Sequence, residues 1–219
     1  ASLYGFSDML NILLNRGINI NAVDRNHGTA LQAAIYMGHE ATQRLDATKG
    51  KLDVNTKGGY YGCALQVAAY RANLEVVNKL LEKGAKVTIS GGKYGYPLQA
   101  AVRTGSMDIV RPILSKAEID LNAKGGRYGN ALQAVARGEY KTRMALPEIS
   151  RGQQLDWTAL DAEYGNLLQL ATFSGLKRTV SLLLDYGADP NVLDTSQRTS
   201  LHIAAWSGFP QIVELLLNK

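Results

Sequence analysis

Three histidines and one cysteine are the side chains of this 219-residue chain that acid–base or nucleophilic chemistry would use first. His27 falls in a turn, His39 at a junction between two helical patterns, and His202 in a column of residues that recurs along the chain. No HExxH, nucleophile elbow or phosphate loop is present. The glycine pairs Gly58-Gly59, Gly91-Gly92 and Gly125-Gly126 precede turns instead of joining a strand to a phosphate-binding helix, so they read as turn glycines. Cys63 stands at the start of a helical pattern, where a small buried residue is the ordinary occupant and a thiol of lowered pKa is the chemical alternative. One cysteine and scattered histidines give no metal-ligand spacing and imply no cofactor.

The elements that carry these residues repeat. Tyr61-Gly62-Cys63-Ala64-Leu65-Gln66-Val67-Ala68 has counterparts at 28–34, 94–101, 128–135, 164–171 and 198–204. The anchor leucines fall at 31, 65, 98, 132, 168 and 201, in steps of 34, 33, 34, 36 and 33. A period in this range marks a repeat array. Each unit reads as hairpin, inner helix, turn and second helix. In the unit from Asn55, small Ala68 and Ala69 let neighbouring inner helices approach, and Leu74, Val76, Val77, Leu80 and Leu81 give the second helix its apolar stripe. The units run 21–54, 55–87, 88–121, 122–157, 158–190 and 191–219 after a partial unit over 1–20. Two of them are irregular. Pro112 falls inside a second helix and predicts a bend or a shortening. The stretch 137–151 lacks a clear apolar second helix, either through drift in a tolerant repeat or as a partner-specific bulge.

Thr199-Ser200-Leu201-His202-Ile203-Ala204-Ala205 and the loop Gly187-Ala188-Asp189-Pro190-Asn191 resemble the ankyrin repeat family. The resemblance covers nearly the whole chain and implies an all-α ankyrin-repeat solenoid with short β-hairpins between helix pairs. Earlier units depart from the family pattern. They carry Gln in place of His, and Gly-Gly-x-Tyr-Gly (58–62, 91–95, 125–129) in place of D-x-x-G. That dialect is similar to arrays in fungal proteins, many of which join the array to a nucleotide-binding signalling module. The last helix, 212–217, reads as an internal one, so a piece of a longer protein is expected.

Recurrent columns serve the scaffold, and variable columns are free for recognition. Gln32, Gln66, Gln99, Gln133, Gln169 and His202 share the position after the anchor, where an amide can bridge the backbone of adjacent hairpins. Tyr61, Tyr94, Tyr128 and Tyr164 recur four residues before it, as inter-hairpin stacking or as a ligand-facing ladder. Five residues after the anchor lie Tyr36, Tyr70, Arg103, Arg137, Phe173 and Trp206, with Arg71 beside Tyr70. Five before it lie Asn26, Tyr60, Lys93, Arg127, Glu163 and Ser196. The resemblance implies that these two columns face a concave groove, with cations in its middle and aromatics toward both ends. Aromatic and Arg side chains dominate binding hot spots. The alternative is an ordinary solvated basic surface.

The net charge of +5 and pI near 9.2 lean toward acidic partners. A protein or peptide in the groove is the leading reading. A nucleic acid or other polyanion on the central Arg/Lys patch is the second, and recruitment of substrate to an enzyme domain elsewhere is the third. The lone cysteine and the lack of a signal peptide or membrane-spanning run point to an intracellular setting, cytoplasmic or nuclear. A monomer is expected, or weak self-association through the array ends.

Overall fold

The buried glutamines explain how the units join. In a computed structural model of the chain, residues 19–38, 52–116, 119–127, 129–136 and 165–218 are described. They form α1 (Ala30–Met37), the pair α2 (Ala64–Tyr70) and α3 (Leu74–Glu82), the pair α4 (Pro97–Thr104) and α5 (Met107–Leu114), α6 (Ala131–Ala136), the pair α7 (Leu167–Phe173) and α8 (Lys177–Asp185), and the pair α9 (Ser200–Trp206) and α10 (Pro210–Leu217). The inner helices α1, α2, α4, α6, α7 and α9 pack in that order. The second helices form an outer layer, with α3 on α5 and α8 on α10. Leu65, Ala68, Ala69, Ala100, Ala101, Ala171 and Ala204 are fully buried between successive units. With only a methyl group to place, these alanines let the helix backbones come close.

Each inner helix starts in the same way. The Gln66 Oε1 accepts from the Cys63 N–H at 2.7 Å, while its Nε2 donates to the carbonyls of Gly91 and Gly95 in the next unit at 2.9 and 2.8 Å. Gln99 repeats the arrangement, taking the Tyr96 N–H and donating to Ala123 and Gly129. Gln32 donates to Gly62 at 2.9 Å, and Gln169 to Val192 and Arg198, both at 2.8 Å. The amides of all four are buried. One side chain thus caps its own helix and satisfies turn carbonyls one unit on. The expected bridging role of this column is what the structure holds. His202 keeps only the local half of it, capping the Thr199 N–H from an exposed ring.

The short β-hairpins expected from the sequence are not formed as strands among the described residues. Among the described residues three turns close on a single antiparallel bridge, at Asp24–Gly28, Gly58–Gly62 and Gly91–Gly95, and the turns at 125–129 and 194–198 close on one backbone hydrogen bond. The reason lies outside the bridge, where a second rung would need extended chain beyond Gly28, Gly62 or Gly95, and there the helix N-caps Thr29, Cys63 and Tyr96 follow at once. Inside the turns, Gly59, Gly92 and Gly126 have φ of 66°, 61° and 63°, which closes the tip tightly. The same glycines let the turns nest. A Cβ on Gly92 would lie 2.3 Å from the carbonyl carbon of Tyr61 in the preceding unit. Between turns a single-file ladder replaces the sheet. The Tyr60 N–H donates to Asn26 O (3.0 Å), Lys93 N–H to Tyr60 O (2.9 Å) and Arg127 N–H to Lys93 O (2.8 Å).

The irregularities resolve in part. Helix α5 runs through Pro112 for eight residues, one fewer than α3 or α8. The lost N–H would have served Asp108, an exposed residue whose carbonyl water can reach. The stretch 137–151 lies outside the described residues, yet α6 and α7 on either side of it remain packing neighbours. In the last unit Asp194 replaces the first turn glycine. Its Oδ1 accepts from the N–H groups of Ser196 and Arg198, and its Oδ2 from the Arg198 guanidinium, all at 2.8 Å. Burial pushes the Asp194 carboxyl up, but the bonds from Arg198 and Ser196 prevail and hold it below its ordinary value.

Gln66→Leu strands the buried Cys63 N–H and the half-buried Gly91 carbonyl, while the Gly95 carbonyl keeps the Gly91 N–H, so urea unfolding should register a loss of about 2 kcal/mol or more, against less than ~1 kcal/mol for the exposed His202→Leu. Asp194→Ala should cost about 2 kcal/mol at neutral pH. A carboxyl with a depressed folded pKa stabilises above its unfolded value near ~3.9 and stops doing so as the pH falls through the folded value. The difference between wild type and Asp194→Ala should therefore shrink in unfolding curves taken at progressively lower pH below ~4.

Candidate functional site

The turn tips and the C-terminal ends of the inner helices share one face, and on it the variable columns meet. Tyr36 at the end of α1 lies 5.1 Å, centroid to centroid, from Tyr61 of the next unit. Tyr61 lies 5.2 Å from Tyr70 at the end of α2, and Tyr70 lies 5.1 Å from Tyr94 of the third unit. Tyr60 meets Tyr61 edge-on at 4.9 Å. The rings of Tyr61 and Tyr94 are within 18° of parallel and 6.2 Å apart. Five tyrosines from three units thus form one aromatic cluster, in offset and edge geometries favourable to ring quadrupoles.

Two cations complete it. The Arg71 guanidinium sits over the Tyr36 ring at 5.4 Å. Lys93 Nζ sits over Tyr60 at 5.3 Å and over Tyr94 at 5.4 Å. Such contacts orient a cation without neutralising it. Tyr94 is buried, whereas Tyr60 and Tyr36 are 51% and 38% exposed. Burial, together with a hydrogen bond to Tyr36, raises the Tyr61 phenol well above its usual range, so this ring at the centre of the cluster stays neutral.

The structure brings Tyr36, Tyr60, Tyr70, Arg71 and Lys93 together. Arg127 joins the same face through the backbone bond to Lys93, and Arg103 occupies the position of Tyr70 one unit on. Phe173 and Trp206 are exposed, Trp206 at 78%, at the same column position in the last two units. Arg137, Tyr128 and Tyr164 lie outside the described residues. The stacking expected of Tyr61 and Tyr94 is present. What the sequence did not reveal is that these scaffold tyrosines interleave with the variable Tyr36 and Tyr70. The signal available was the adjacency of Tyr60 and Tyr61 to a turn that nests on the preceding unit.

Cys63 is 1% exposed, and burial pushes its thiol up to about 11, which overturns the alternative of an activated thiolate at a helix start. His27 pairs with Asp24 at 2.9 Å in an exposed turn. Among the described residues, no group of His, Cys, Asp and Glu is placed to hold a metal ion, and no helix is long and apolar enough to cross a membrane.

A solenoid of helix pairs joined through nested turns, with its glutamines buried between units and Tyr36, Tyr60, Tyr70, Arg71 and Lys93 gathered on one face, is the organisation of a repeat array. The chain belongs to the ankyrin repeat family. The family model "Ankyrin repeats (3 copies)" matches residues 1–91 and 132–219. The intervening unit is built on the Gly-Gly-Lys-Tyr-Gly turn. The chain is similar to the ankyrin repeat protein nuc-2 of Neurospora crassa, with 29% identity over 219 residues and 99% of this chain, and it spans 17% of that protein's length. A crystal structure of EF0377, an ankyrin repeat protein, superposes with a TM-score of 0.71 at 24% identity, covering 86% of this chain and 96% of that one. Ankyrin repeats are generally non-enzymatic protein–protein interaction modules.

Cys63 should resist alkylation at pH 8 in the folded protein, because a thiol with a pKa of about 11 is almost wholly protonated and buried. Timed labelling should show modification slower than after unfolding in urea by about 100-fold or more.

Proposed function

We propose that this array binds another protein in its concave groove, as the recognition arm of a larger fungal signalling protein. The observation that carries the reading is the sorting of side chains by column. The unit-invariant glutamines are buried and saturated, whereas the unit-specific Tyr36, Tyr60, Arg71, Arg127, Phe173 and Trp206 remain exposed on or toward one face. A surface preformed by nested turns loses little conformational freedom on binding. The similarity to a fungal protein of which this chain would span a minor part supports a module within a longer polypeptide. A reduced, buried Cys63 fits an intracellular setting, cytoplasmic or nuclear. The unit boundaries at 21, 55, 88, 122, 158 and 191 are part of the same reading, as is a monomeric array.

A second reading has its own support. Three successive turns and inner helices carry only cations, which suits a nucleic acid or another polyanion. The two readings separate in one experiment. The chain and its Arg103→Glu/Arg127→Glu/Trp206→Ala variant are used as baits in a fungal lysate, with and without nuclease. The groove reading expects proteins that the wild type retains, the variant loses and nuclease spares. Identical retention by both baits would remove the groove from consideration, and loss on nuclease treatment would put the polyanion first.

A further inference from the structure

We propose that the groove's tyrosine cluster receives an extended acidic segment of the partner protein, with a carboxylate on every second residue. The inference rests on the groove reading above and specifies its occupant. Charge is the first argument. Residues 54–72, 87–105 and 121–136, the turns and inner helices of three consecutive units, contain Lys57, Arg71, Lys93, Arg103, Lys124 and Arg127 and no Asp or Glu. The carboxylates of the same stretch lie elsewhere. Glu75, Glu82 and Asp108 are on the outer helices, Asp53 and Asp120 are in the loops that lead into the turns, and Glu118, two residues before Asp120, lies outside the described residues. Among the described residues, Arg71, Lys93 and Arg127 meet no carboxylate. Arg71 and Lys93 are held over tyrosine rings, so their charge is positioned before any ligand arrives.

Spacing is the second argument. Equivalent rings of adjacent units, Tyr61 and Tyr94, repeat at 6.2 Å. An extended chain advances about 6.6 Å over two residues, so its alternate side chains meet successive units in register. Lys93 and Arg127 belong to one such column and are joined through their backbones at 2.8 Å. Carboxylates at alternate positions would fall on these cations, and the intervening side chains would turn away. A helical ligand repeats at about 5.4 Å per turn and drifts out of step with the units.

The state of the rings is the third argument, and it favours a peptide over a single-stranded nucleic acid. Bases bind by stacking on open aromatic faces. Here the rings pack on one another, Tyr94 is buried, and the two most exposed rings, Tyr36 and Tyr60, already carry Arg71 and Lys93 over them. A ligand therefore meets cations and ring edges, which suit carboxylates and peptide groups better than bases.

The test is fluorescence anisotropy on the 219-residue chain with labelled peptides of equal length and equal number of glutamates. One alternates glutamate and threonine, one carries the glutamates as a block, and one places glutamate at helical spacing in an alanine-rich helix. An oligothymidylate is the fourth probe. The alternating peptide should bind about tenfold or more tighter than the others. Its affinity should fall at least about tenfold in Arg71→Gln/Lys93→Gln, with circular dichroism unchanged, and hold in Lys177→Gln/Arg178→Gln on α8. Equal binding of the block peptide, tighter binding of the helical one, or preference for the oligonucleotide would overturn the proposal. If no acidic peptide binds while groove substitutions still abolish capture of a protein partner, the occupant is wrong and the groove reading survives.

Discussion

Everything in this molecule depends on a buried amide that must satisfy two sets of backbone groups at once. The Gln66 side chain is fully buried, and a polar group so placed is tolerated only when it is bonded. Its carbonyl takes the first free N–H of its own helix, and its amine takes the carbonyls of a turn one unit on. That second demand fixes where the next turn must lie, and the turn in turn fixes the next helix. Apolar packing between the alanines then follows from the spacing the amides impose. A hydrophobic residue in the column would bury more apolar area, but it would strand the N–H at its own helix start and a carbonyl such as that of Gly91, leaving the closing carbonyl of the turn only its local backbone bond.

The glycine-pair turn is the other half of this arrangement. In the first and last described units, Asp24 and Asp194 organise the turn from within through carboxylate bonds to its own N–H groups. In the central units that carboxylate is gone, and the turn is held from outside by the preceding tip and the preceding glutamine. Losing the carboxylate also removes a negative charge from each tip. The central part of the face is left with cations alone, because the same substitution that changes how the turn is built changes what it can attract.

Much of the fold was legible because its signals are local and periodic. The anchor leucines, the glutamine column and the apolar stripes of the outer helices each depend on spacing within one unit. The β-hairpins were misread, because a glycine pair signals a turn without saying that the returning arm goes straight into a helix cap before a second rung can form. The binding face was only half legible. Tyr36 and Tyr70 stood out as variable, and Tyr61 and Tyr94 as recurrent. Their meeting comes from nesting between units, which no single repeat encodes. Pro112 looked disruptive, but a helix near its end loses little when the carbonyl left over is open to water.

The amide bonds also have a direction. Gln32, Gln66, Gln99 and Gln169 each reach toward the unit that follows in the chain, and the tip N–H groups of Tyr60, Lys93 and Arg127 reach back to the carbonyl of the unit before. A newly made unit therefore finds its acceptor and donor already in place on the part of the array that left the ribosome first. The array is templated in the order of its own synthesis, so growth of the folded structure can keep pace with elongation without waiting for the far end of the chain.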